Sequence, residues 1–281
     1  MKNNDKSQFY PVALTIAGSD SGGGAGIAAD LRTFNALGVY GCCAVTAVTA
    51  QNPAAVRRID ALAAASVTAQ INAVMENIAV TCCKTGMLFT AENVLAVAAA
   101  VKEHKLKLIC DPVMVSTSGS KLLQNDAIEV IKSQLLPQAA WITPNIPEAE
   151  LLLGRKIISD QDAGDAAGEL ANRFGCAVLL KGGHASGPQS CDFVARENKL
   201  YTLTSPRLDV PKLTGHGTGC TLSAALTAAL ALGLPWKRAL CESKAFVFGS
   251  LSQSVEIGKK IHAMYPPVED SIGMVKLAEV E

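Results

Sequence analysis

A parallel β-sheet with helices on both faces is the architecture that this sequence predicts. Three observations predict it. Apolar runs of strand length alternate with helix-length amphipathic segments along nearly the whole chain. Aromatic residues make up only 5%, so the core is built from Ala, Val, Leu and Ile, as sheets covered on both faces usually are. Glycines and polar residues gather directly after the strand-length runs, where ligands sit in such sheets.

The elements follow in order. Val12–Ala17 reads as a buried strand, followed by a Gly-rich turn and a helix from about Ala25 to Leu37. Gly41–Val48 is the next strand, and Ser66 reads as the N-cap of a helix reaching about Asn77. Val80–Lys84 is a strand, Ala91–Glu103 a helix, Leu106–Cys110 a strand and Asn125–Leu136 a helix. Ala139–Thr143 is a strand stopped by Pro144; Asp160–Phe174 is a helix and Ala177–Leu180 a strand. Cys191–Arg196 and Leu200–Thr204 straddle Glu197-Asn198-Lys199, which predicts a small hairpin. Gly217–Ala231 and Trp236–Gln253 are the closing helices. No repeat or linker divides the chain, so residues 1–281 are read as one domain, with 1–10 a flexible lead.

Composition limits the function. Hydrophobic residues at 49% and charged residues at 18% supply a core and no disorder signature. Twenty-five basic residues balance 25 acidic ones, which argues against nucleic acid as a partner. The N-terminus is polar, and the Ala-rich segments are broken by charges before membrane-spanning length. The nine cysteines show no CxxC spacing and read as buried small hydrophobes. A cytoplasmic protein with no membrane partner is the expectation.

The richest signal is Gly215-His216-Gly217-Thr218-Gly219-Cys220, a glycine turn opening a helix. Such a turn lets a ligand approach the backbone, and the helix N-terminus offers free N–H groups and partial positive charge to an anion. Cys220 in the first turn stands where that field lowers a thiol pKa. The run Gly18–Gly26 lacks both the GxxxxGK[ST] and the GxGxxG spacing, and is read either as a turn or as part of a pocket. Asp30 follows early in the next helix, facing either the pocket or solvent. Gln51 and Asn52 are amides after an apolar strand; Gln offers donor and acceptor together, which suits a heteroaromatic ring, though a surface turn fits as well. Asn145 and Glu148, three apart behind Pro144, read as a helix cap or as hard-cation handling, with Asp111 a further acid. Lys181 ends a strand before Gly182-Gly183, either as a point charge for phosphate or as a snorkelling lysine.

Taken together, TIAGSDSGGGAGIAADLRTF (15–34), ALGVYG (36–41), TAVTAQN (46–52), KTGML (84–88), DPVMVSTSG (111–119), ITPNIPEAE (142–150), LLKGGH (179–184) and GHGTGCTLSAAL (215–226) resemble the ribokinase-like small-molecule kinases. Within them, the chain resembles the hydroxymethylpyrimidine/phosphomethylpyrimidine kinases of thiamin synthesis. That resemblance implies a ribokinase-like three-layer α/β/α sandwich with ten or so strands. It also implies a homodimer, the cofactors ATP and Mg²⁺, and phosphorylation of a hydroxymethyl group on a vitamin-precursor ring. By the same resemblance Gly217, Thr218 and Gly219 form the anion hole, and Cys220 stands where sugar kinases of the superfamily place an aspartate base. Gly18, Asp30, Gln51, Met87 and Val113 match ring-site positions. Asn145, Lys181, Thr214, Gly217 and Gly219 match the ATP site, with the 205–213 loop beside it, and Glu148 and Asp111 the metal site. Two departures stand out: Ala28 replaces the glutamine of the family's GIQAD, and residues 254–281 diverge from its GPV-type ending. A pyridoxal kinase of the related cysteine-containing type is the rival implication.

Overall fold

The computed structural model describes residues 10–114, 122–182, 187–211, 214–258 and 261–280. The expected flexible lead (1–10) lies almost wholly outside them, as do Ser116–Lys121, Gly183, His184 and residues 212–213 of the 205–213 loop.

The chain opens with β1 (Val12–Ala17), α1 (Gly26–Ala36), β2 (Tyr40–Val45), β3 (Ala47–Asn52) and β4 (Ala55–Ala61). Next come α2 (Ala64–Met75), β5 (Cys82–Thr85), α3 (Ala91–Glu103), β6 (Leu108–Cys110), α4 (Asn125–Val130) and β7 (Ala139–Ile142). Then follow α5 (Ile146–Leu153), α6 (Asp160–Phe174), β8 (Ala177–Leu180), β9 (Gln189–Arg196), β10 (Lys199–Pro206) and α7 (Thr218–Ala231). The last elements are α8 (Trp236–Ser252), β11 (Val255–Gly258), β12 (Ile261–Ala263) and β13 (Lys276–Glu279). Among the described residues one nine-stranded sheet runs β13-β10-β9-β8-β7-β6-β5-β1-β2. From β2 to β8 neighbouring strands are parallel; β9, β10 and β13 add an antiparallel edge.

The two sheet faces are covered separately. Val12, Leu14 and Ile16 of β1 join the core beneath α2 to α6, while Ala13 packs with Phe34 of α1 and with Ala224 and Ala228 of α7. This alternation is the period of two that a strand imposes. Trp141, Leu179, Val194 and Leu203 pack under α7 and α8.

The structure departs from the sequence-based expectation at four places. The expected strand Gly41–Val48 breaks at Val45, and β3 leaves the sheet to pair with β4 in a separate hairpin. Its turn is set by Asn52, whose side-chain oxygen accepts the Ala54 and Ala55 amides. The expected helix 125–136 stays regular only to Val130 and widens into a π turn over Ile131–Leu135. Pro137 just beyond has no amide to extend an α ladder. Helix α2 starts at Ala64 behind Ala63, so Ser66 lies in its first turn and does not cap it. The hairpin at 197 is tighter than expected: Glu197 and Asn198 alone turn it, with φ of 54° and 59°, the left-handed pair that matches strand twist.

Candidate active site

The C-terminal ends of β1, β5, β6, β7 and β8 and the N-terminus of α7 converge, and the sequence-marked residues collect there. After β1 the chain turns through Gly18–Ala25. Asp20, buried in that turn, accepts the Gly22 amide (2.8 Å), the Gly24 amide (3.1 Å) and the Ala25 amide (2.9 Å). It also accepts His216 Nε2 at 2.8 Å, which ties the first glycine loop to the loop before α7. Burial opposes charge on Asp20, but the His216 bond and the amides overcome it and hold the carboxyl below its usual range. Gly217 has φ +85°, and a Cβ there would run into the Gly24 carbonyl, so the two loops touch backbone to backbone.

Asp30 does not line the cleft. Its side chain is fully buried, salt-bridged to Lys84 Nζ (2.8 and 2.9 Å) and bonded by Thr15 Oγ1 (2.6 Å). The sequence allows pocket or solvent for this acid; the structure places it in neither, against Lys84, which no sequence motif marks as a site residue. Its signal was present: a lysine inside the apolar run Cys82-Cys83-Lys84-Thr85 needs a buried counter-charge.

Asp111, just past β6, is buried and accepts Lys181 Nζ (2.8 Å), Thr143 Oγ1 (3.1 Å) and Ser223 Oγ (3.3 Å). Burial would raise its pKa, but the Lys181 and Lys84 ammonium groups outweigh it and keep Asp111 ionised. Asn145 and Glu148 form a reciprocal capping box on α5. The Asn145 side chain accepts the Glu148 amide (2.9 Å) and Glu148 accepts the Asn145 amide (2.8 Å). Burial, opposed by Lys181 and reinforced by Asp111, pushes the Glu148 carboxyl up to about 7.

No group of three or more metal-binding side chains occurs among the described residues. Asp111 is nevertheless close enough to Glu148 for its charge to raise the proton affinity of Glu148. Two carboxylates completed by phosphate oxygens and waters are the sparse donor set that Mg²⁺ takes, so these residues fit that ion.

Gly217 is the N-cap of helix α7, which has no side-chain cap. The Thr218 and Thr221 amides return to the Gly215 and Gly217 carbonyls. The Gly219 and Cys220 amides keep no protein acceptor among the described residues, the usual orphans of a helix start. Lys181 Nζ lies 3.1 Å from where a Cβ on Gly219 would be, so ammonium and free amides face one small space. Thr214 is buried, and its hydroxyl has no partner among the described residues.

Cys220 corrects an expectation. The helix field does not lower its pKa: burial pushes the thiol up to about 11, Asp30 and Asp111 add to this, and Lys84 and the Gly26 amide only partly oppose it. At neutral pH the resting side chain is a thiol.

The remaining residues form a second wall. The Met87 side-chain methyl lies over the Gly18 backbone, so a side chain there would displace it, and Met87 packs with Ala47 and Leu122. Val113 packs against that cluster. Gln51 sits at the bulge of the β3–β4 hairpin, its amide 3.5 Å from His216 Nε2. The tail closes the edge: His262 and Met264 line a cavity of about 150 Å³ with Gly22–Gly24, Arg32 and His216. A larger cavity, about 1200 Å³, opens at the opposite, N-terminal end of the strands, beside Ala139, Ala177 and Trp236, away from every residue above.

The chain matches known proteins over most of its length. The model of the phosphomethylpyrimidine kinase family matches residues 20–265. A hydroxymethylpyrimidine/phosphomethylpyrimidine kinase from Rhizobium meliloti is 43% identical over 251 residues, covering 88% of this chain and 94% of that one. The pyridoxal kinase of Staphylococcus aureus, solved with the nucleotide analogue AMP-PCP, superposes with a TM-score of 0.86 at 31% identity, over 97% of this chain and 100% of that one. A phosphomethylpyrimidine kinase from Clostridium difficile superposes with a TM-score of 0.74 at 40% identity, over 84% and 97%. With the sheet, the converging strand ends and these likenesses together, the chain belongs to the phosphomethylpyrimidine kinase family of ribokinase-like enzymes.

Proposed function

We propose that this protein transfers the γ-phosphoryl group of MgATP to the hydroxymethyl oxygen of 4-amino-5-hydroxymethyl-2-methylpyrimidine, and then phosphorylates the resulting monophosphate, in thiamin biosynthesis. One observation carries the reading: the unpartnered Gly219 and Cys220 amides and the Lys181 ammonium face a common space, with Asp111 and Glu148 beside it. Donors fixed in place before reaction are what spreading charge on a transferring phosphoryl group requires.

The roles divide by position. Gly217, Thr218, Gly219 and Cys220 hold the transferring group. Lys181, Asn145 and Thr214 take the triphosphate. Gly18, Gln51, Met87 and Val113 hold the ring, and Asp30 acts from below through Lys84. Asp111 and Glu148 would hold Mg²⁺, which supplies charge neutralisation on the phosphate oxygens. Cys220 Sγ takes the hydroxyl proton as the new O–P bond forms and the bond to the ADP oxygen breaks. Because the resting thiol is protonated, that role requires it first to release its own proton to solvent, to which Cys220 is partly exposed. Lys84 and the Gly26 amide, the two groups favouring thiolate, support that step. The protein works as a single domain and as a homodimer.

A second reading is pyridoxal phosphorylation, favoured by the fuller superposition on the S. aureus enzyme. The higher identity to the pyrimidine kinases favours the first. ADP release with MgATP, measured on the hydroxymethylpyrimidine, its monophosphate and pyridoxal, separates them. Turnover of both pyrimidines supports the proposal; turnover of pyridoxal alone replaces it with the second reading.

A further inference from the structure

Lys181 is aimed at the phosphate space by a chain of contacts that begins on α8, the helix packed beside α7. Its backbone amide donates to the Pro144 carbonyl (2.8 Å) and its ammonium to Asp111 (2.8 Å). The next residue, Gly182, donates its amide to Asp192 Oδ1 at 3.0 Å. A side chain on Gly182 would strike the Cys191 carbonyl, so β8 and β9 are pinched together there. The other oxygen of Asp192 accepts Lys244 Nζ at 2.7 Å, and the same ammonium reaches Ser190 Oγ at 3.3 Å. Both side chains are more than nine-tenths buried, 7% and 6% exposed. Asp192 is thus held at one oxygen by α8 and holds, with the other, the residue adjoining Lys181.

A buried ion pair of this kind is weak evidence for stability, because desolvation offsets its attraction. Its geometry fits another task. Asp192 has one oxygen for each neighbour, so the Lys244 contact leaves the second oxygen turned toward Gly182. We infer that Lys244 and Asp192 are positioning residues for nucleotide: Lys244 orients Asp192, Asp192 fixes the chain where it leaves β8, and that fixes the Lys181 ammonium beside the Gly219 and Cys220 amides. The inference rests on Lys181 serving the nucleoside triphosphate, as proposed above.

The test uses the full-length protein and compares Lys244→Met, Asp192→Leu and the double variant D192L/K244M. Initial rates are taken with MgATP and the hydroxymethylpyrimidine each varied, alongside thermal melting. The double variant removes both charges together, so it remains foldable even where either single change leaves one buried charge unpaired. The expected result is a KM for MgATP raised about tenfold or more in K244M and in the double variant, with KM for the ring substrate within about twofold of the parent, the size of one lost charge-assisted hydrogen bond. A double variant with the parent's KM for MgATP overturns the inference, because a purely structural pair is dispensable once both charges are gone. Ring and nucleotide KM rising together overturns it as well. Absence of kinase activity in the parent protein would instead defeat the underlying reading of the site.

Discussion

Lys84 and Asp30 form a salt bridge with no solvent exposure on either side chain, its Nζ 2.8 and 2.9 Å from the two carboxylate oxygens. It lies close enough to Cys220 for both charges to act on the thiol. Burial disfavours the ammonium, yet Asp30, Cys220 and Asp111 together push its pKa up. Removing one partner strands the other charge in the core, so Lys84→Met and Asp30→Asn are each expected to destabilise the fold by about 3–5 kcal/mol. The double variant should lose less than the sum of the two, and urea denaturation of the four proteins measures the coupling.

Cys220 is expected to be slow to alkylate. With its thiol pushed up to about 11 by burial, little thiolate exists at neutral pH, and the rate with iodoacetamide should climb steadily from pH 7 to pH 10. A plateau reached below pH 8 would contradict the protonated resting state. Cys220→Ala should lower kcat by roughly 10²-fold or more while leaving nucleotide affinity near the parent value.

The strand–helix alternation revealed the sheet, and the helices Ala91–Glu103 and Asp160–Phe174 stand where their patterns put them. Periodicity reports local burial, so it saw these elements well. It missed β4, whose residues are mostly half-buried or exposed and whose pairing with β3 stands apart from the sheet. The site was legible as positions and less so as contacts. Gly217, Lys181 and Asp111 collect as expected, because strand ends converge in this topology. Asp20 with His216, and Asp30 with Lys84, are partnerships across 196 and 54 residues. No local spacing encodes such pairs. Cys220 shows the same limit: a helix N-terminus is readable in sequence, but the burial that overrides its field is not.

Gly217→Ala should disable the anion site and leave the fold in place. An alanine at φ +85° carries a penalty of roughly 1–2 kcal/mol, and its Cβ would also push away the Gly24 carbonyl. The Gly219 and Cys220 amides would shift with it. The expected loss in kcat/KM is about 10²-fold, the size seen when one oxyanion donor is removed. Circular dichroism should remain that of the parent, and a variant with parental kcat/KM would show that the amides are not aimed at the reacting group.

Gln51→Ala should weaken ring binding alone. Its amide stands at the bulge of the β3–β4 hairpin beside His216. KM for the hydroxymethylpyrimidine should rise about tenfold, one good hydrogen bond's worth, with KM for MgATP unchanged. Equal increases in both would mean that the hairpin closes over the whole cleft.

Asp20 links stability to pH. Its folded-state pKa lies below the ordinary value because His216 and the backbone amides favour the carboxylate more than burial disfavours it. A depressed carboxyl contributes stability that is fully present above its unfolded pKa, near 3.9, and is lost as pH falls through the lower folded value. Asp20→Asn should therefore be less stable than the parent at neutral pH, and the gap should narrow below about pH 4. Asparagine keeps one acceptor oxygen for the loop amides but loses the carboxylate that holds His216 Nε2, so the glycine loop loosens from the loop before α7. Thermal melting of both proteins from pH 3 to pH 8 measures the gap, and a difference independent of pH would mean that Asp20 is not charged in the folded protein.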